Sequence, residues 1–126
     1  MHFLQPLLQR SGTTSALCVE GRETPLATTI ETAFDSASRK KGLLGRDRLA
    51  EGTALVIAPC SAVHTFAMRF PIDVIFARRD GSIVKIRQAM PVSRVTGAIR
   101  AFAVIEMAAG TTERAAVRVG DRLVVR

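Results

Sequence analysis

Pro59-Cys60-Ser61-Ala62-Val63-His64-Thr65-Phe66-Ala67-Met68-Arg69-Phe70-Pro71-Ile72-Asp73 is the segment on which the reading of this chain turns. Cys60, His64 and Met68 recur at every fourth position. On a helix that spacing places the three on one face, with neighbours about 6 Å apart. On a strand it separates Cys60 from His64 by roughly 13 Å, at about 3.3 Å per residue. Val63, Thr65 and Phe66 favour the strand, and Pro59 and Pro71 do not extend a helix. Cys60, Ala62, His64, Phe66 and Met68 then point to one side, and Ser61, Val63, Thr65, Ala67 and Arg69 to the other. A row of Cys, His, Phe and Met facing inward is either the lining of an apolar pocket with one polar handle or an ordinary core with a hydrogen-bonded histidine.

Strand signals flank this segment on both sides. Thr14–Glu20 and Leu26–Phe34 are rich in Thr, Val and Ile and are separated by Gly21-Arg22-Glu23-Thr24-Pro25. Asp35 or Ser36 caps a short basic helix favoured by Ala37, Arg39, Lys40, Lys41 and Leu43, which Gly42 and Gly45 limit to two or three turns. Ala54–Ala58 is a continuous apolar run that fits a buried strand, and Ile72–Ala77 is another. Arg78-Arg79-Asp80-Gly81 is a hairpin signal, because Asp-Gly supplies the positive φ of tight turns. Ser82–Gln88 returns as its partner, with Val84 and Ile86 facing in. Ala101–Ala108 and Leu123–Val125 are further strands, with one helical turn capped by Thr111 or Thr112 between them. Many short strands with frequent turns predict a β-rich α+β fold, a small barrel-like antiparallel sheet with one or two short helices.

The 126 residues predict a single domain over 1–126, with an N-terminal arm at 1–13. No apolar run approaches the ~20 residues of a membrane span, and the arm lacks the basic start of an export signal, so it is read as mature sequence. Cys18 and Cys60 are too few for a disulfide framework and fit free thiols in a reducing cytoplasm. The net charge of +7 is uneven: seven Lys and Arg face six Asp and Glu up to Val63, against eleven and five from His64 onward. Such a basic half attracts anions, nucleic acid included. Single-strand binding also needs aromatic stacking platforms, whereas Phe66, Phe70, Phe76 and Phe102 stand in apolar contexts that suit a core. A solvated basic face is therefore the expected role, and nucleic acid is not the expected partner.

Four features bear on chemistry. Cys60, His64 and Met68 offer the soft or borderline donors that Cu(I) or Zn(II) prefers, but strand spacing keeps them from one ion, and no metal set is assigned. Cys60 with His64 as base and Asp73 as third group has the residue types of a cysteine nucleophile, without a spacing that guarantees contact. Glu106 shares strand parity with Phe102 and Val104, so it must be neutral or paired, with Arg69, Arg100 or Lys85 as the expected cations. Gly42-Leu43-Leu44-Gly45-Arg46 lacks the Lys-Ser/Thr ending and preceding strand of a phosphate loop, and reads as a helix stop.

Together the pieces resemble the DUF192 family, also called UPF0127. The pattern runs through Lys41-Gly42-Leu43-Leu44-Gly45-Arg46, Ile57-Ala58-Pro59-Cys60, Val63 to Phe76, Asp80-Gly81, Val104-Ile105-Glu106-Met107, Gly110 and Gly120-Asp121, over about residues 27–125. The resemblance implies a compact β-rich, barrel-like domain with short helices and no established activity. The expected function is a small binding or accessory module for a small molecule or protein partner, with no cofactor. Its pocket would involve His64, Thr65, Met68, Asp73 and Glu106, with His64 as donor or acceptor and Asp73 as a fixed polar anchor. Two alternatives stand beside it. One is a small enzyme, hydrolytic through Cys60 and His64 or metal-assisted. The other is anion or nucleic-acid binding by the basic C-terminal half.

Overall fold

The computed structural model describes residues 1–9 and 15–126. Thr14, where the first strand was expected to begin, and the last part of the expected arm lie outside the described residues. In chain order the elements are α1 (Gln5–Gln9), β1 (Leu17–Val19), β2 (Thr29–Ala33), α2 (Ser36–Lys41), β3 (Thr53–Ile57) and β4 (Ala62–His64), followed by β5 (Ile72–Ala77), β6 (Ile83–Met90), β7 (Val95–Gly97), β8 (Ala103–Ala108), α3 (Thr111–Arg114) and β9 (Leu123–Val125). The local signals hold where they were strongest. Asp35 caps α2 by accepting a hydrogen bond from the Ser38 N–H at 2.8 Å, and Gly42 ends it with φ 48°. Gly81 makes the β5–β6 turn at φ 90°, and the Leu123 backbone passes so close that any Cβ there would overlap its carbonyl oxygen.

A five-stranded sheet in the order β2-β3-β8-β5-β6 forms the centre, with β1–β9 and β4–β7 as separate two-stranded ladders. β2 and β3 run parallel, with α2 in the crossover between them, and the other pairings are antiparallel. The expected antiparallel barrel does not form: β2 and β6 remain open edges, and the fold is α+β with a mixed, open sheet and three short helices. The physical reason lies in where the apolar residues fall. Every residue of β5 is buried, and β3 and β8 are nearly so, which puts apolar side chains on both faces of the sheet. A small closed barrel with only three short helices to cover its outside would leave much of one set in water, whereas an open sheet covered on both sides buries both.

On one face Val56, Ile75, Ile105 and Met107 pack with Leu4, Leu17, Leu123 and Val117. On the other, Leu55, Val74, Phe76 and Val104 pack with Leu43, Leu49 and Met68. Leu4 precedes α1, a helix within the expected arm that no sequence signal marked, and is fully buried there. A register shift between Phe76 and Ala77 divides Val84 from Ile86, which pack against different cores rather than facing in together.

Asp73 shows how the sheet handles a buried carboxylate. It is fully buried, and it accepts hydrogen bonds from the Ala89 N–H at 2.8 Å, the Gly110 N–H at 3.2 Å, and the Thr112 N–H and hydroxyl at 2.8 Å each. Gly110 is the N-cap of α3 and contributes no side-chain cap, so Asp73 rather than Thr111 or Thr112 satisfies the first turn. Asp73→Ala leaves those donors buried without an acceptor and should cost about 3 kcal/mol, whereas Thr112→Val, which removes one of the four bonds, should cost about 1 kcal/mol. Urea unfolding of both variants checks this, and equal losses would contradict it.

Candidate functional site

The central segment is a strand only as far as His64. Ala67 then takes φ 63°, and the Met68 N–H donates to the Thr65 carbonyl at 3.2 Å, closing a turn. The long strand expected through Phe70 is thereby cut, and its side assignments change beyond the break. Thr65 and Met68 are buried, while His64 is exposed and Phe66 is 49% exposed rather than part of the core. Among the other phenylalanines, Phe76 is fully buried, and Phe70 and Phe102 are half-buried. The turn also resolves the spacing of Cys60, His64 and Met68: strand followed by turn brings all three to one pocket.

That pocket has a cavity volume of about 150 Å³. One wall is the end of α2 and the turn after it: Arg39, Lys40, Lys41, Gly42, Leu43 and Leu44. The facing wall is Cys60, Ala62, Val63 and His64, and Ile57, Met68 and Glu106 complete the lining. In the sequence the α2 wall carries only the signals of a helix and its stop. The available signal was three cations followed by Gly-Leu-Leu-Gly, and only the packing of Leu43 onto the sheet sets them opposite His64. His64 stacks on Phe66, with ring centroids 5.4 Å apart and 28° between planes.

Glu106 is the unusual group. On β8 it pairs with Leu55 of β3 and Val74 of β5, and it is only 4% exposed. Among the described residues it accepts no hydrogen bond and forms no ion pair. The expected cations are engaged elsewhere or do not reach it: Arg69 contacts Asp47 at 2.6 Å, and Lys85 donates to the Gly97 carbonyl at 2.8 Å. Burial pushes its carboxyl up to about 7, against a smaller pull downward from the Arg46 charge. Arg46 is itself held by both oxygens of Glu31, at 2.7 and 3.1 Å. Two groups expected near the pocket are not among its lining residues. Asp73 lies on the opposite face of the sheet, paired with Met107. The Thr65 hydroxyl donates to the Pro91 carbonyl at 2.7 Å and accepts from the Arg94 N–H at 2.9 Å.

Cys60 and His64 share the pocket, but the Cys60 thiol donates to the Ala62 carbonyl at 3.2 Å, and no described hydrogen bond joins it to His64. Among the described residues, no three His, Cys, Asp or Glu side chains converge as a metal-ligand set. No helix among them is long and apolar enough to cross a membrane.

An open mixed sheet covered on both faces, with a small pocket on one of them that reaches a carboxylate, defines an α+β domain of distinct type. The chain belongs to the DUF192 family (Uncharacterized ACR), whose model matches residues 17–125 and so takes in β1 as well. Two solved structures are similar. A protein of unknown function from Novosphingobium aromaticivorans DSM 12444 superposes with a TM-score of 0.75 at 22% identity, over 86% of this chain and 82% of that one, which speaks to the fold alone. A Sinorhizobium meliloti 1021 protein, provisionally described as a transcription regulator, superposes with a TM-score of 0.76 at 26% identity, over 88% and 92%. No curated protein matches the chain in sequence.

The Glu106 shift has a definite sign. Its folded value lies above the ordinary 4.5, so the folded state holds a proton that the unfolded state releases. Stability is then full below about pH 4.5, declines as pH rises toward about 7, and levels off above it. The decline contributed by this group is about 3 kcal/mol. Glu106→Gln should match the wild type near pH 4 and exceed it by about that amount near pH 8, read from urea unfolding at both values. An unchanged difference between the two proteins across that range would mean that Glu106 titrates as an ordinary carboxylate.

Proposed function

We propose that this domain is a small-ligand binding module whose site is the pocket between α2, β4 and β8. The observation that carries the reading is Glu106, a buried carboxylate without a described partner that lines a solvent-reachable pocket. A carboxyl kept from most of its water without a protein partner leaves hydrogen-bonding capacity unused, at about 1–3 kcal/mol, and a ligand donor would relieve that cost. The lining is otherwise mostly apolar, with Arg39, Lys40 and Lys41 on one wall. The matching ligand has a flat or apolar body, a hydrogen-bond donor at its inner end and an anionic group at its outer end. His64 and Met68 contact the body, and Thr65 acts at a distance by holding the turn between those two residues. The provisional description of the Sinorhizobium relative as a transcription regulator is compatible with a ligand-responsive module. With Cys18 and Cys60 both free, we place the protein in a reducing cytoplasm.

A direct test uses 4-aminobenzoate, which carries an amine at one end of a ring and a carboxylate at the other. With methyl-labelled methionine, the Met68 resonance should shift saturably, while Met107, on the opposite face of the sheet, should not. Glu106→Leu should weaken binding about tenfold or more while remaining folded, because it removes the acceptor but leaves an apolar side chain of similar size. Absence of a saturable Met68 shift, or a shift unaffected by Glu106→Leu, would overturn the pocket reading.

A further inference from the structure

The pocket has features narrow enough to specify its ligand further. Its volume of about 150 Å³ suits one six-membered ring; an engineered apolar cavity of about 150 Å³ takes up benzene. The ring would lie against His64, which lines the pocket and is stacked on Phe66, and both rings are solvent-accessible. Bases stack on exposed aromatic rings of this kind regardless of sequence, because every base has a π-face. Lys40 and Lys41 on the α2 wall, beside Arg39, whose guanidinium donates to the Phe34 carbonyl at 3.1 Å, oppose a cationic ligand and favour one ending in an anionic group such as a phosphate. Once ionised, Glu106 offers acceptor oxygens that no described protein donor occupies, so a ring bound to that form carries an N–H at its inner edge.

A pyrimidine nucleotide meets these conditions, and the donor selects among pyrimidines. The 4-amino group of cytosine presents one N–H beside C5–H, where nothing repels a carboxylate, and acidic side chains accept from this group in nucleic-acid recognition. The only ring N–H of uracil that is free in a nucleotide is flanked by two carbonyl oxygens, which a carboxylate disfavours.

We propose that the pocket receives the base of a cytosine nucleotide, with the 4-amino group donating to Glu106, the ring against His64 and the phosphate at Lys40 and Lys41. The assignment rests on the binding-pocket reading and adds the identity of the ligand to it. A free mononucleotide and an unpaired nucleotide of a strand share this chemistry.

Calorimetric titration of the full chain with CMP, UMP and cytidine, at low salt and about pH 8 so that Glu106 is ionised, tests the assignment. CMP should bind roughly tenfold tighter than UMP, the discrimination expected of one well-made base contact. Cytidine should bind more weakly than CMP, and the Lys40→Ala/Lys41→Ala double variant should abolish that difference. Glu106→Gln, whose neutral amide both donates and accepts, should remain folded and bind CMP and UMP alike. Equal affinity of CMP and UMP for the wild type, or a preference that survives Glu106→Gln, would overturn the assignment. If CMP fails while 4-aminobenzoate still shifts Met68, the nucleotide assignment alone falls; if both fail, the pocket reading falls with it. A short oligocytidylate distinguishes the sources: tighter binding with a steeper salt dependence supports a strand, and no gain over CMP supports the free nucleotide.

Discussion

Strands β3, β8 and β5 are covered on both faces, so a polar group they carry must find its partners inside the protein or at a pocket that water reaches. Asp73 and Glu106 show the two outcomes. Both are carboxylates in the middle of the sheet, and both are almost entirely removed from water. Asp73 receives four hydrogen bonds that tie the end of β6 and the start of α3 to β5. Glu106 sits among Leu55, Val74 and Val104 with no described donor, and its proton is held until about neutral pH. Strand alternation decides which carboxylate lies on which face: Asp73 points to the side of Ile75 and Met107, Glu106 to the side of Val74 and Phe76.

The pocket follows from how that second face is covered. Its cover is discontinuous, made by the turn after α2 and by the segment carrying β4, and the pocket lies between them over Glu106 of β8. Leu43 and Met68 are anchored in the core from the two sides, which brings a basic helix end opposite an imidazole. Thr65 is fully buried and bonded to both Pro91 and Arg94, so the turn carrying Met68 is held by the β6–β7 connection rather than by its own sequence. Charge is arranged by depth: three cations lie along the α2 wall, while the inner carboxylate is neutralised by burial rather than by a counter-ion.

Much of the local structure was legible. The apolar runs at Ala54, Ile72 and Ala101, the Asp35 cap and the Asp80-Gly81 turn each carry a signal that depends on a few neighbouring residues, and each forms close to where it was read. The break in the central segment was not legible, because it depends on Ala67 in a left-handed conformation, which alanine does not favour and no local pattern marks. α1 was hidden for a related reason: it is a five-residue helix whose preceding residue, Leu4, is held by packing against a distant core. Of the candidate site, His64, Met68 and Glu106 were named from residue type and parity, while the α2 wall was missed because helix-ending cations are ordinarily solvated.

The sequence by itself determined where the strands lie, which of them are apolar throughout, and that Glu106 would be a carboxylate on an apolar face. Those properties are set by residues adjacent in the chain and by the two-residue repeat of an extended backbone. Only the tertiary structure decided that the sheet stays open, that β2 runs parallel to β3, that Asp73 finds its donors within the protein while Glu106 faces a pocket, and that a basic helix end faces His64 across a cavity. Each of these depends on pairing and packing between segments far apart in the chain. Such contacts are chosen by which arrangement buries both apolar faces at once.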